Sequence, residues 1–212
     1  LFREVKKDER LLPFPILNPA DSSWERELEW AAESGAQGIR LTPGYHGYAP
    51  NEPFVAELLK ATNALQLPTQ LCIRLFDPRF QHPRYPADDI SLHTVAEWIT
   101  MTSASQNVLL SGLRIYEWDT IARHLPLDFS TDHVLCDLWF ANGPIAAIAS
   151  LAKSNLIGKF AYGSCTPIQT AEATMLQLAS ADVTEAQRFN LCTRQALQFL
   201  GSTYVEKGED LH

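Results

Sequence analysis

Short apolar runs alternate with longer stretches of helical spacing along most of the chain. Runs rich in apolar and β-branched residues are separated by segments of about 10 to 15 residues with apolar positions on one helical face. The six runs cover residues 11–17, 38–41, 69–75, 108–116, 134–138 and 160–162. No hairpin signal joins any two of them, so the pattern predicts six βα units in a parallel sheet with helices outside it.

Polar residues and prolines at the starts of several helical segments predict where the helices begin. Ser22 and Glu25 have the spacing of a capping box ahead of an apolar helical face. Pro53 stands at the start of the helical segment that follows the run at 38–41, and proline is favoured in the first turn of a helix. Thr184 and Gln187 form a second capping-box pattern near the end of the chain.

Two architectures accommodate repeated βα units, an open doubly wound sheet and a (β/α)8 TIM barrel. No Gly-x-Gly-x-x-Gly follows a predicted strand and no Walker-type loop is present, which removes the main support for a nucleotide-binding open sheet. A barrel has eight units and typically about 250 residues. With 212 residues, the chain is expected to be one barrel-like domain over residues 1–212, with two N-terminal units missing or reduced and a polar tail at 202–212.

Composition and charge narrow the class of partner. The chain has 17 Lys+Arg, 25 Asp+Glu, a net charge of −8 and 46% hydrophobic residues, which excludes disorder and argues against a nucleic-acid or anionic-membrane surface. No apolar run approaches the roughly 20 residues of a membrane span, and no signal-peptide pattern is visible. The four cysteines lack Cys-x-x-Cys or zinc-site spacing, so free thiols and a cytoplasmic location are expected.

Four motifs occur in the order of a known family. Residues 15–21 read Pro-Ile-Leu-Asn-Pro-Ala-Asp, and residues 35–43 read Gly-Ala-Gln-Gly-Ile-Arg-Leu-Thr-Pro. Residues 162–167 read Tyr-Gly-Ser-Cys-Thr-Pro, and residues 195–200 read Gln-Ala-Leu-Gln-Phe-Leu. With these motifs, the chain resembles the amidohydrolase-related family of metal-dependent hydrolases over most of its length.

This resemblance implies a TIM barrel with its active site at the carboxyl ends of the strands and a divalent metal, zinc or manganese, that activates water. The family holds its metal with a His-x-His pair, two later histidines and an aspartate. The chain contains no His-x-His. The later ligand positions fall on Cys72 (or Arg74, if the register shifts by two), near Ser111 and on Cys165. The metal ligands are therefore unknown, and the resemblance implies an atypical or absent metal site.

Residues that follow the second strand are the first candidates for a substrate site. Arg40 is suited to bind a substrate carboxylate, and a structural ion pair is the alternative. His46 has the titration range of a general acid or base, with a solvated loop histidine as the alternative. Tyr45 precedes it in the same loop and is a further substrate-binding candidate.

The long loop after the third strand carries a second group of candidates. Asp77, Arg79 and His82 lie within six residues of one another. Asp77 and His82 are candidates for water activation, and Arg79 and the neighbouring Arg74 for substrate binding. A loop network that satisfies its own charges is the alternative for this group.

The remaining candidates are two carboxylates and a thiol. Asp137 lies in an apolar run, where an unpaired carboxylate is costly, so it is either paired with an arginine or used in chemistry. Glu117 is a weaker candidate of the same kind for substrate binding. Cys165 is a candidate nucleophile or soft ligand, with an inert replacement of the family aspartate as the alternative.

The function expected from these residues is an amidohydrolase-like hydrolase of a small carboxylated, amide or lactone substrate. The alternative is a catalytically degenerate barrel that binds a ligand or takes part in an assembly. A metal-independent thiol hydrolase that uses Cys165 is the third hypothesis. The expected partner is a small molecule, without nucleic acid or membrane, and homo-oligomerisation stays open.

Overall fold

A computed structural model of the protein describes residues 1–77, 81–84, 86–141 and 146–201. Its strands form one five-stranded sheet in which every neighbouring pair is parallel and the spatial order follows the chain order. The strands are β1 (Ile39–Leu41), β2 (Thr69–Cys72), β3 (Val108–Ser111), β4 (Val134–Asp137) and β5 (Phe160–Ala161). Each predicted run from the second to the sixth therefore forms a strand, and the predicted parallel sheet is confirmed.

Helices occupy the connections between the strands and both ends of the sheet. They are α1 (Phe2–Val5), α2 (Trp24–Glu33), α3 (Pro43–His46), α4 (Pro53–Ala64), α5 (Leu92–Met101), α6 (Glu117–His124), α7 (Ala147–Lys153), α8 (Ala171–Ser180), α9 (Glu185–Phe189) and α10 (Gln195–Leu200). A short 3-10 helix at Ile157–Lys159 precedes β5, and a π-helix at Asn190–Arg194 joins α9 to α10. No helix within the described ranges has the length and apolar character of a membrane span.

The first predicted run does not form a full strand. Within residues 11–17 only Ile16 makes a parallel bridge, to Arg40 of β1. Pro13 and Pro15 lack the N–H groups that a longer ladder needs, although their carbonyl groups still accept hydrogen bonds from the β1 side. The sheet therefore begins with a short bridged segment.

Two of the predicted helix starts are confirmed. α4 begins at Pro53, with the proline in the first turn. At the start of α9, Gln187 N donates to Thr184 Oγ1 over 3.2 Å, and Thr184 N donates to Gln187 Oε1 over 2.9 Å. This is the reciprocal capping box that the sequence predicts.

The capping box predicted at Ser22 and Glu25 is wrong. α2 starts at Trp24, and the residue before it, Ser23, makes no capping hydrogen bond to the helix backbone. The Ser23 hydroxyl lies instead within hydrogen-bonding distance of the carboxylates of Asp21 and Glu27. The hydroxyl is therefore oriented towards these carboxylates and does not cap the helix backbone.

Alternate strand residues divide the sheet into a core side and a polar side. The strand residues with no more than 1% exposure on the core side are Ile39, Leu41, Leu71, Val108, Leu110, Val134, Cys136 and Phe160. The residues between them include Arg40, Cys72, Ser111 and Asp137, which belong to four neighbouring strands. Because the strands are parallel, these polar side chains gather towards the same end of the sheet.

The C-terminal helices close the sheet beside β5. Tyr162 N, directly after β5, donates to Leu191 O over 2.7 Å. Asn107 Nδ2, directly before β3, donates to Gln198 O over 2.8 Å. The end of the described chain is thereby held against the strands without a sixth strand at this edge of the sheet.

Candidate functional site

A buried hydrogen-bond chain connects the ends of β3 and β4. Ser111 Oγ donates to Asp137 Oδ2 over 2.5 Å, and Gly112 N donates to Asp137 Oδ1 over 3.2 Å. Trp139 Nε1 donates to Ser111 Oγ over 3.0 Å. A hydroxyl has one proton, so the Ser111 proton faces Asp137 while the oxygen accepts from the indole.

Burial dominates the electrostatics of Asp137. The residue is 5% exposed, and this burial raises the pKa of its carboxyl from 3.8 to about 6. The bonds from Ser111 and Gly112 and the positive charge of Arg40 act in the opposite direction without cancelling the effect. A carboxyl with this pKa can hold or release a proton near neutral pH.

Arg40 brings a positive charge to the same end of the sheet. It is half-buried on β1, and its Nη2 donates to Cys72 Sγ over 3.7 Å. Its positive charge acts to lower the pKa of both the Cys165 thiol and the Asp137 carboxyl. Within the described ranges, Arg40 forms no ion pair with a carboxylate, so its guanidinium keeps the capacity to bind an anion.

Two thiols lie against this guanidinium. Cys72 is 4% exposed, and its thiol donates to Arg74 O over 3.3 Å. Cys165 is half-buried and has a φ of 55°. Burial raises the pKa of both thiols, an effect that the nearby Arg40 charge only partly opposes. The role of Cys165 as a nucleophile stays a prediction, and its surroundings favour the neutral thiol.

Arg74 and Glu117 form a buried ion pair beside the site. Arg74 Nη2 donates to Glu117 Oε1 over 3.1 Å and Nη1 to Oε2 over 3.2 Å. Its remaining bonds go from Nε to Asp89 Oδ2 and from Nη1 to Gly112 O, both over 2.6 Å. Arg114 N and Nη1 also donate to Glu117. These contacts favour a structural role, and substrate binding by Arg74 and Glu117 stays a prediction.

His46 lies at the end of α3, in the connection that follows β1. Its ring stacks with that of Tyr48 at a centroid distance of 6.2 Å, and burial lowers its pKa. Tyr45 is 60% exposed, and its ring makes the other described ring contact of His46, at a centroid distance of 5.7 Å. The described contacts thus place His46 among tyrosines and not against Asp137, and its acid–base role stays a prediction.

Of the loop candidates Asp77, Arg79 and His82, the structure describes the first and the last. Asp77 is half-buried after β2, and His82 is exposed, with Nδ1 accepting from Arg84 N over 3.1 Å. Arg79 lies outside the described residues. The proposed cooperation of these three side chains therefore stays a prediction.

The side chains around Asp137 do not fit a divalent metal ion. Among the described residues, no group of three or more His, Cys, Asp or Glu side chains is arranged to hold a metal. The family ligand positions carry Cys72, Ser111 and Cys165, and the hydroxyl of Ser111 is committed to Asp137. Manganese prefers oxygen donors, whereas two of these three positions carry sulfur.

Sequence reasoning identified Arg40, Asp137 and Cys165 but missed what Ser111 and Trp139 do. The resemblance gives Ser111 only as a replaced ligand position, and the sequence predicts no role for Trp139. The available signal is strand position, because Cys72 and Ser111 are partners in the β2–β3 register and Asp137 ends the next strand. A serine at that position can reach a neighbouring carboxylate.

The fold and site geometry define the class, which is a TIM-barrel-like parallel sheet of five described strands with polar side chains at their carboxyl ends. No protein-family model matches the chain. No curated protein matches it either. Solved structures of other proteins, in contrast, superpose on this chain.

An uncharacterised TIM-barrel protein from Bordetella bronchiseptica has a TM-score of 0.69 and 11% identity, covering 94% of this chain and 70% of its own. A dihydroxybenzoic acid decarboxylase from Polaromonas, with bound manganese and the inhibitor 2-nitroresorcinol, has a TM-score of 0.69 and 12% identity, covering 96% and 74%. A probable 2-pyrone-4,6-dicarboxylic acid hydrolase from Acinetobacter baumannii has a TM-score of 0.62 and 13% identity, covering 95% and 77%.

These similarities confirm the predicted fold. Nearly all of this chain superposes on these structures, and the chain spans 70% to 77% of their length. One of them is named as a hydrolase, the class of enzyme that the sequence resemblance implies. At these identities the likeness establishes the fold, while activity and metal content belong to the proposals below.

Proposed function

We propose that this protein binds a small carboxylated molecule at the carboxyl end of its sheet, with Arg40 as the group that contacts the carboxylate. The observation that supports this proposal is the half-buried guanidinium of Arg40. It lies beside two thiols and forms no ion pair with a carboxylate within the described ranges. A guanidinium matches a carboxylate with two parallel N–H donors, and partial burial strengthens the contact.

The similar structures support a ring-bearing acid as the ligand. The Polaromonas protein is named for dihydroxybenzoic acid, and the Acinetobacter protein is named for a pyrone dicarboxylic acid. Both compounds are small cyclic carboxylic acids. We therefore propose a carboxylated aromatic or lactone as the ligand class for this chain.

Asp137 supports a second candidate function, amidohydrolase-like turnover of the bound molecule. Its pKa of about 6 gives it both protonation states near neutral pH, which hydrolysis of an amide or lactone and decarboxylation of an aromatic acid both require. In this proposal Asp137 moves the proton while Arg40 holds the carboxylate. The ligand-binding alternative requires Arg40 but no proton transfer.

Calorimetric titration with a dihydroxybenzoate and with its primary amide tests the binding proposal. The wild-type chain is expected to bind the acid at least tenfold more tightly than the amide, because only the acid is charged. Arg40→Met should remove this preference. Arg26→Met, which alters an exposed arginine of α2, should retain it. Equal affinity for acid and amide, or unchanged binding by Arg40→Met, would refute the proposal.

Product analysis separates turnover from binding. Incubation of the wild-type chain with carboxylated lactones, amides and hydroxybenzoates should yield product that Asp137→Asn does not form. Tight binding of the acid without product would favour the ligand-binding alternative.

A further inference from the structure

We infer that the Arg40 guanidinium supplies the fixed positive charge of this site in place of a divalent metal ion, with Cys72 as its positioning residue. The inference rests on the proposed function for the nature of the ligand. It rests on the donor chemistry of this chain for the exclusion of the metal.

The thiol of Cys72 orients the guanidinium. Its proton points to Arg74 O at 3.3 Å, so its sulfur is free to accept from Arg40 Nη2 at 3.7 Å. Cys165 lies close enough to the same guanidinium for the Arg40 charge to act on its thiol. The Cys72 sulfur therefore serves Arg40 as an acceptor.

Asp137 is equally committed. Each carboxylate oxygen accepts a hydrogen bond, one from the Ser111 hydroxyl and one from Gly112 N. The Gly112 backbone has a φ of 93°, and a Cβ there would lie 2.6 Å from Arg74 O, so this segment is tightly packed. The donors are thus fixed in place, and a metal would have to compete with them.

The charge balance of the cluster also opposes a metal. The cluster formed by Arg40, Cys72, Ser111, Asp137 and Cys165 contains one guanidinium and one carboxyl group. A divalent metal site gathers anionic or imidazole donors, whereas this cluster would place a divalent ion beside a cation of the same sign. An incoming carboxylate meets the guanidinium of Arg40, which forms no ion pair with a carboxylate within the described ranges, and this guanidinium does the electrostatic task of the metal it replaces.

Manganese binding is the direct test. Electron paramagnetic resonance of the wild-type chain titrated with manganese chloride should show only the free-ion signal at equimolar concentrations. A one-to-one loss of that signal that Asp137→Asn reverses would overturn the inference. Zinc chloride, followed by equilibrium dialysis, extends the same measurement to the other metal that the resemblance implies.

The role of Arg40 is tested by dihydroxybenzoate affinity with and without EDTA. Affinity should be unchanged by EDTA, at least tenfold weaker in Arg40→Met and partly retained in Arg40→Lys. Cys72→Ser should bind more tightly than Cys72→Ala, since a hydroxyl can still accept from Arg40. Loss of affinity in EDTA, or equal affinity of the two Cys72 variants, would contradict this part of the inference.

Failure of the proposed function can be distinguished from failure of this inference. If no carboxylated ligand binds, the proposed function fails, whereas the metal titration still decides whether the cluster excludes a divalent ion. If manganese binds and the acid binds with it, the proposed ligand survives and the inference is overturned.

Discussion

Ser111 and Asp137 are joined across β3 and β4 by a 2.5 Å hydrogen bond between a hydroxyl and a carboxylate. Trp139 completes the arrangement by donating to the serine oxygen. All three side chains are no more than 5% exposed. The bond therefore works in a low-dielectric setting, where a charge-assisted hydrogen bond is strong and a lost partner is costly.

Removing this hydroxyl should destabilise the fold. Ser111→Ala leaves the Trp139 N–H and one Asp137 oxygen without their described partner, which is expected to cost about 1–3 kcal/mol. Urea unfolding measures the loss. Ser150→Ala, at an exposed helical serine bonded to Ala146 O, should change stability by less than about 0.5 kcal/mol. Similar losses in the two variants would refute the importance of the buried bond.

The buried carboxyl predicts a specific dependence of stability on pH. The folded-state pKa of Asp137 is about 6, above the ordinary value of 3.8. Its contribution to stability is therefore complete below about pH 4 and is lost as the pH rises through about 6. The loss amounts to about 3 kcal/mol at neutral pH. Denaturant unfolding between pH 4 and 8 should show this fall relative to Asp137→Asn. A constant difference between the two proteins would contradict the assignment.

Gly163 should tolerate no side chain. A Cβ at this position would lie 2.9 Å from the Asp137 Cβ, so the strand end or the carboxylate must move. Gly163→Ala is expected to cost about 1–3 kcal/mol and to weaken ligand binding. Gly158→Ala is the matched control, because its Cβ would meet nothing within 4 Å. Thermal unfolding of both variants gives the comparison, and equal midpoints would argue against close packing at Gly163.

The Arg74–Glu117 pair should be important for stability. Glu117→Gln removes the charge that two buried Arg74 bonds and two Arg114 bonds engage and leaves Arg74 paired with Asp89 alone, which is expected to cost about 1–3 kcal/mol. Asp8→Asn, in the exposed pair with Arg10, should have almost no effect on the unfolding midpoint. A small effect of Glu117→Gln would mean that Asp89 alone satisfies Arg74.

Thiol reactivity should follow exposure. Cys192 is exposed and should react first with a thiol reagent at neutral pH, whereas the buried Cys136 should react only on unfolding. Burial raises the pKa of both thiols, but Cys165 is the less exposed of the two, so it should react more slowly than Cys192. If turnover is found, Cys165→Ala should retain it. Fast labelling of Cys165 with loss of turnover in Cys165→Ala would revive the thiol mechanism.

Much of the fold follows from apolar periodicity, because βα alternation reports burial directly. The run that failed was 11–17, where Pro13 and Pro15 limit pairing although the apolar pattern is that of a strand. Ser22 failed as a cap because α2 starts one residue later than the spacing predicts, and the hydroxyl of the following Ser23 is bound by the carboxylates of Asp21 and Glu27.

The site was predictable as a set of strand-end residues but not as a network. Arg40, Asp137 and Cys165 stand out as polar residues near strand ends. Their partners come from other strands, so the distances depend on the β1–β4 register. The sequence suggested that Asp137 is paired with an arginine or used in chemistry. Its described hydrogen-bond partners are a hydroxyl and a backbone amide, and its use in chemistry stays a prediction.

Arg40 also carries a mechanical consequence. Its backbone N–H donates to Pro15 O over 2.9 Å, and its carbonyl accepts from Leu17 N over 3.1 Å, so the residue proposed to bind the ligand also anchors the outermost segment of the sheet. Thermodynamic linkage makes such a coupling reciprocal. A ligand that immobilises Arg40 should slow hydrogen exchange at the Leu17 amide. A change that loosens residues 13–17 should weaken the binding of the ligand by the same free energy.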